Sequence, residues 1–377
     1  MITKLSLSNF KLHNKTELNL SGLTILTGMN GMGKSSIIQV LMLLRQSFLT
    51  NDLDEGLNLK GDLCNVGTSG ELSCLASDES SLDISLDLDC SNELKYSFEY
   101  PDDIFSTLLT GNDNNVTDKK ELQKYSLFNS NFQYISAFRF GPQKLYERDS
   151  TVVVNKRQIS KVMGQCEYVI HYLSHYGDNE ISLKEFTIDE TIDQARDHRL
   201  IIQTERWLRR ISPNIKIAIE PIEDDFKLKY SFFRDENQIT DKISALNTGF
   251  GITYVLPIIV AILDSKKDSL IFIENPEAHL HPSGQAELMK LIAIAVAQGV
   301  QIIIETHSDH IINGALVAIN TGKMSSESVS VYYFDRDEHK HVCIPYHLPV
   351  TTNGQLLNPP KGFFDQIDID LKILAGF

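Results

Sequence analysis

Gly28-Met29-Asn30-Gly31-Met32-Gly33-Lys34-Ser35 fills every fixed position of the pattern GxxxxGK[ST], between a strand-like apolar run and a helix-like one. Glycines at these places let the backbone curl so tightly that successive N–H groups, and the start of the next helix, aim at one point. Such an array suits phosphate oxygens. Asn30, Gly31 and Gly33 shape the cradle, Lys34 reaches for the β- and γ-phosphates, and the Ser35 hydroxyl, with Ser36 beside it, is placed to ligate Mg2+. The expected ligands are therefore ATP and Mg2+. The loop alone leaves the class of NTPase open.

The surrounding pattern predicts an α/β fold in zones. Residues 1–100 read as short strands, with Leu5, Leu7, Leu18, Leu20, Leu23, Ile25 and Leu26 leading to Gly28. A helix follows from Ser35 to Phe48, and Leu82–Asp89 alternates as a strand with leucines inward and aspartates in water. Residues 101–240 are more polar and irregular and read as a helical and mixed insertion. They hold a loop at 111–115 and helical patterns over 158–175 and 192–210, the second stopped by Ser212-Pro213. No heptad pattern persists there, which excludes a long coiled-coil arm. From 241 to 334, Leu270–Ile273 and Gln301–Ile304 are unbroken apolar runs suited to buried parallel strands. A helix over Pro282–Ala297 joins them as a crossover. Residues 335–377 form a small C-terminal tail.

Composition narrows the function classes. With 42% hydrophobic residues the chain has ample core, and no apolar run approaches the ~20 residues needed to span a bilayer. The start, Met1–Leu7, alternates like a strand rather than a secretory leader, so a cytoplasmic location without membrane contact is expected. Cys64, Cys74, Cys90, Cys166 and Cys343 form no CxxC pair, which offers neither a zinc site nor a disulfide framework. A formal charge of −15 argues against a whole surface that grips a polyanion. A local basic stripe from Arg206, Arg209, Arg210 and Lys144 stays open, as does the reading of these as solvated helix charges.

The C-terminal zone decides the class. Leu270–Ile273 ends in the carboxylate of Glu274, suited to a Mg2+ site. Asn247-Thr248-Gly249-Phe250-Gly251 is a glycine turn before a helical run, presenting N–H groups and a hydroxyl to a γ-phosphate from another subunit. Ile304-Glu305-Thr306-His307-Ser308 ends the next strand with a histidine. This order resembles the ABC-type heads of the RecF/SMC-like ATPases. The runs Ile273-Glu274-Asn275-Pro276-Glu277-Ala278-His279-Leu280-His281-Pro282 and Glu305-Thr306-His307-Ser308 resemble the OLD (overcoming lysogenization defect) family of AAA-like ATPases. Leu7-Ser8-Asn9-Phe10-Lys11 and Asn30 fit the same group, and Gly362-Phe363-Phe364-Asp365-Gln366 resembles the uncharacterised C-terminal domain of one branch.

The resemblance implies an ABC-type head with an N-terminal antiparallel β-subdomain and a mainly parallel sheet flanked by helices. It also implies a homodimer with composite ATP sites. Thr248, Gly249 and Gly251 would contact the partner's ATP, Glu274 would hold the Mg2+-bound water, His281 would cross the dimer, and His307 would be the switch histidine. Gln143 would link Mg2+ to the flanking subdomain, with Gln133 and Gln39 as rivals. The His279/His281 pair reads as a dimer contact ahead of a metal pair. One departure matters: the family pattern carries a second acid where this chain has Asn275, and an amide cannot accept the water's proton. Hydrolysis is then slow, unless Glu277 or Glu305 serves as the base; Glu277 reads equally as a charge at a helix start.

Asp335-Arg336-Asp337 ends a strand like the acidic pair of a Toprim nuclease, but intrinsic nuclease activity is not expected with so short a following stretch. The leading expectation is an ATP-gated dimeric switch that controls a separate effector, a nuclease or toxin, in anti-phage defence. The alternative is a RecF-like ATPase that binds DNA in repair or recombination; a transporter subunit is a weaker third.

Overall fold

The computed structural model describes residues 1–89, 92–112, 118–188, 197–235, 238–337, 339–360, 362–364 and 366–375. The chain opens with β1 (Ile2–Phe10), β2 (His13–Asn19) and β3 (Leu23–Gly28), and α1 (Lys34–Thr50) follows the glycine-rich loop. Then come β4 (Gly56–Asn58), β5 (Ser81–Leu88), β6 (Asn92–Glu99), β7 (Leu108–Gly111), the one-turn α2 (Lys119–Leu122) and β8 (Phe132–Ile135). Helices α3 (Val169–Tyr176) and α4 (Leu200–Ile211) precede β9 (Ile215–Ile222), β10 (Asp225–Asp235), β11 (Gln238–Ile239) and β12 (Ile243–Ser244). The last part holds α5 (Phe250–Leu263), β13 (Leu270–Glu274), α6 (Pro282–Ala297), β14 (Gln301–Glu305) and α7 (Asp309–Asn320). It closes with β15 (Val329–Asp337), β16 (Val342–Leu348) and α8 (Gln366–Leu374).

Two six-stranded sheets carry the fold, an antiparallel one ordered β2-β1-β5-β6-β7-β4 and a central one ordered β16-β15-β3-β14-β13-β8. In the central sheet β15, β3, β14, β13 and β8 run parallel, and β16 returns antiparallel at the edge. One of its strands, β8, comes from the stretch 101–240. Side chains of β13 and β14 alternate between two cores. Ile271, Ile273, Ile302 and Ile304 join the cluster built with α3 to α7, whereas Leu270, Phe272 and Ile303 join the one shared by α1 and the antiparallel sheet. A strand buried on both faces has no polar side, which is why these segments read as continuous apolar runs. Each such side chain contributes ~2 kcal/mol relative to exposure, so the strand ends that carry the polar residues are rigid platforms.

The helix over Pro282–Ala297 and the strands around it form as the periodicity predicts, and β5 buries Leu82, Ile84, Leu86 and Leu88. The helix predicted over 158–175 begins only at Val169. Met163, Gly164 and Cys166 take positive φ (48°, 66° and 59°), and the Gly164 carbonyl accepts the Ser136 N–H, so this segment folds as a loop against the end of β8. The helix predicted over 192–210 is seen from Leu200, residues 192–196 lying outside those described. Residues 113–115 of the predicted loop, Cys90 and Asp365 also lie outside. Cys64, Cys74, Cys166 and Cys343 are buried free thiols.

The proposed basic stripe needs correction. Arg206 is fully buried, and the Arg209 side chain, 8% exposed, donates to the Ile215 carbonyl and pairs with Glu205. Helix α4 is wedged against α5, α6 and β9, so Arg206 and Arg209 serve packing; of the four, Arg210 and Lys144 are exposed. No helix among the described residues is long and apolar enough to cross a membrane.

Candidate nucleotide site

Strand β3 delivers the glycine loop at the C-terminal edge of the central sheet. Gly28 has φ 131°, and a Cβ on it would lie 2.3 Å from the Phe334 carbonyl oxygen of β15, so only glycine fits. Gly33 (φ 97°) starts α1 with no side chain capping it, leaving the helix N-terminus to the loop. Met29, Asn30 and Gly31 are exposed, while Lys34 and Ser36 are buried. The Lys34 Nζ donates to the carbonyls of Gly28 (2.9 Å) and Met29 (2.7 Å). Burial lowers its pKa, and the nearby Glu305 carboxyl opposes that shift.

Two carboxylates end neighbouring strands. Glu274 and Glu305 are register partners across β13 and β14, so their side chains leave the sheet on the same face. Ser35 Oγ donates to Glu305 Oε1 at 2.9 Å; Glu305 Oε2 is buried with no partner among the described residues. Burial first, and Glu274 second, push the Glu305 pKa up to about 7. Glu274 is satisfied differently. Its Oε1 accepts the Tyr134 hydroxyl (2.9 Å) and its Oε2 the Ala137 N–H (3.0 Å); burial raises its pKa and these bonds oppose the shift.

Beyond β13, Glu277 uses both oxygens to hold the end of β14: Oε2 accepts the Thr306 hydroxyl (2.7 Å) and Oε1 the His307 N–H (2.9 Å). The His307 pKa is lowered by burial and by Lys34, against a hydrogen bond to Gly28 and the charge of Glu277. Asn275 has φ 45°, a left-handed conformation that asparagine tolerates better than most residues, and its N–H donates to the Glu305 carbonyl at 2.8 Å.

Arg139 ties this strand end to α5. It is buried, and its Nε donates to the Tyr254 carbonyl (2.9 Å). Nη1 donates to Ser136 (2.9 Å) and Glu274 (2.7 Å), and Nη2 to Asn275 (2.8 Å). The guanidinium also stacks on the Tyr254 ring at 4.0 Å. In the turn itself Thr248 Oγ1 donates to Ala245 (2.9 Å). A Cβ on Gly251 would lie 2.2 Å from the His279 carbonyl oxygen, whereas one on Gly249 would meet only the Ile252 side chain, at 3.7 Å. His279 packs its ring on Phe250 and Tyr254, and His281 caps α6 through Nδ1 and Ser283, so the two histidines are engaged separately.

A family model described as "AAA ATPase domain" matches residues 1–312. The chain belongs to that family. A second model, "Protein of unknown function (DUF3696)", matches residues 324–374 behind this AAA ATPase domain. The "Old nuclease" of Escherichia phage P2 is 25% identical over 173 residues, which cover 42% of this chain and 28% of that protein. The chain thus spans under a third of that relative's length. Among solved structures, an SMC head bound to the C-terminal winged-helix domain of ScpA matches with TM-score 0.52 and 13% identity, over 92% of this chain and 98% of that one. An Smc head with an extended coiled coil, bound to the C-terminal domain of ScpA derived from Pyrococcus furiosus, gives 0.54 and 13%, over 100% and 99%. These likenesses show the expected architecture, an α/β ABC-type ATPase head.

Within this AAA ATPase domain the structure gathers Lys34, Ser35, Glu305, Glu274, Asn275, Glu277 and His307 at one edge of the central sheet. Gln143 is not among the partners of Ser35, Glu274 or Glu305; its N–H donates to the Tyr146 hydroxyl. The rivals are engaged elsewhere, Gln133 with Arg157 and Ile159, Gln39 with Lys11. Sequence reasoning passed over His13 and gave Arg139 no role. His13 lies behind the loop, where its Nε2 meets the Gly33 carbonyl at 3.0 Å and its Nδ1 the Thr16 hydroxyl at 2.9 Å. A carbonyl only accepts, so Nε2 carries the proton, and burial drives the His13 pKa down to about 4. A basic residue just before Gly141-Pro142 was the one available signal for Arg139.

Proposed function

We propose that this chain is an ATPase whose two copies meet head to head, each triphosphate lying between the Lys34 loop of one protomer and the Gly249 turn of its partner. Gly249 carries this reading. Its φ is an ordinary −56° and the space around its Cα is open, so nothing among the described residues demands glycine there; close approach of a partner's triphosphate would. The residues also fit ATP with Mg2+. The loop offers an uncapped helix N-terminus, and a hydroxyl and a buried carboxylate with a free oxygen form the hard oxygen donor set that Mg2+ takes.

Ser35 and a strand-end carboxylate would hold Mg2+, which when bound neutralises charge on the phosphate oxygens. The loop N–H groups and Lys34 bind and orient the triphosphate, and His307, held by Glu277, is positioned beside the loop at Gly28. Asn275 holds a water but does not take its proton, so turnover is slow and the closed dimer long-lived. Such a clock suits a switch. The reading extends to a cytoplasmic protein that gates a separate effector, a nuclease or toxin, in anti-phage defence. It is supported by the likeness to the phage P2 protein and by SMC heads that bind a protein partner. The burial of Arg206 and of the Arg209 side chain counts against the DNA-binding alternative.

Light scattering with a non-hydrolysable ATP analogue tests the arrangement. Gly249→Ala should fold and bind nucleotide as the unaltered chain does, yet stay monomeric. Gly251→Ala should lose stability, because its methyl group collides with the His279 carbonyl. A Gly249→Ala protein that dimerises normally and turns over ATP at the usual rate sinks the proposal.

A further inference from the structure

Glu305 is a buried acid that the resemblance offers only as a substitute base and gives no part in holding the cation. It is 7% exposed, its Oε1 accepts from the hydroxyl assigned to Mg2+, and its Oε2 is buried with no partner among the described residues. An unmatched carboxylate oxygen inside a protein is costly unless something completes it. Glu274, the residue that the motif nominates, is already held by the protein, one oxygen accepting from Tyr134 and the other from Ala137. The two side chains leave adjacent strands in register, only a strand spacing of about 4.8 Å apart. A cation beside Ser35 therefore meets in Glu305 the carboxylate that already bonds that hydroxyl and has one oxygen with no partner among the described residues, whereas both Glu274 oxygens already accept a bond from the protein.

We propose that Glu305 is the carboxylate that positions the divalent cation against Ser35, and that Glu274 acts behind it by holding Tyr134 and the Ala137–Arg139 turn. This rests on the ATPase reading above and deepens it. Glutamine at 305 keeps an oxygen to accept from Ser35 while removing the charge, so the loop keeps its shape and the cation loses its anchor.

The test uses the full chain with a non-hydrolysable ATP analogue, and Mn2+ followed by electron paramagnetic resonance as the Mg2+ probe. Analogue binding in EDTA serves as the control for an intact loop. Glu305→Gln should weaken Mn2+ by five-fold or more in the presence of the analogue, yet bind the analogue in EDTA as well as the unaltered chain or better. Glu274→Gln should weaken Mn2+ less than Glu305→Gln does. A change of under five-fold in Glu305→Gln, a larger loss in Glu274→Gln, or parallel losses with and without metal overturns the proposal. Failure of the unaltered chain to bind the analogue overturns the ATPase reading and this inference with it.

Discussion

Replacing Arg139 by methionine should unfold the head some 6–10 °C earlier. The guanidinium donates to four carbonyls, those of Tyr254, Ser136, Glu274 and Asn275, at 2.7 to 2.9 Å. Hydrogen bonds from a charged donor are worth about 1.5–3 kcal/mol each, or roughly 6–12 kcal/mol for the set if they added. Removing the cation also removes the cost of burying it, which is several kcal/mol, so the net loss is about 3–5 kcal/mol. At roughly 2 °C per kcal/mol for a chain of this size, that is a drop of about 6–10 °C in Tm. Methionine fills similar volume, so the loss reports the orphaned carbonyls rather than a cavity. Arg139→Lys should recover little of it, because one ammonium cannot reach acceptors spread around a planar fork. Calorimetry of the three proteins without nucleotide is the assay. A methionine variant within about 2 °C of the unaltered chain would refute the claim that Arg139 clamps β13 to α5.

Two further predictions concern charge. The folded pKa of Glu305, about 7, lies above its ordinary value of 4.5. Its contribution is therefore fully present below about pH 4.5 and lost as pH rises through 7, a swing of ~3 kcal/mol against the nucleotide-free protein. Glu305→Gln should flatten that slope and be the more stable protein at pH 8. Denaturant melts at pH 5 and pH 8 measure it, and identical pH dependence in both proteins would count against the assignment. Asn275→Glu should raise kcat by supplying a base, a gain of about 10²-fold or more, at ~1 kcal/mol of stability for a longer side chain at positive φ. Glu277→Gln should change turnover little, since the amide oxygen still accepts the His307 N–H and its NH2 can donate to the Thr306 hydroxyl oxygen. Glu277→Ala should lower turnover by freeing that turn. A collapse of kcat in Glu277→Gln would instead identify Glu277 as the base.

The glycine-rich loop between β3 and α1 and the β13–α6–β14 crossover were readable from residues because their signals are local. A glycine pattern at fixed offsets and short runs buried on both faces need no knowledge of the neighbours. The helix misplaced over 158–168 marks the limit: its apolar spacing was helical, but Gly164 and two residues in left-handed conformations turn it toward β8. Arg206 and Arg209 show the same limit for charge, since a basic helix face reads as solvated until the elements that bury it are known.

What the sequence settled was which groups this chain carries and in what order. Tertiary structure decided which of them touch. That Glu305 rather than Glu274 meets Ser35, that Arg139 joins Tyr254 to Asn275, and that His13 supports Gly33 all follow from sheet order and from the close packing of β15 on β3. Periodicity encodes the face a side chain occupies. It does not encode the strand that will lie beside it, because that choice is made by the summed burial of two whole cores.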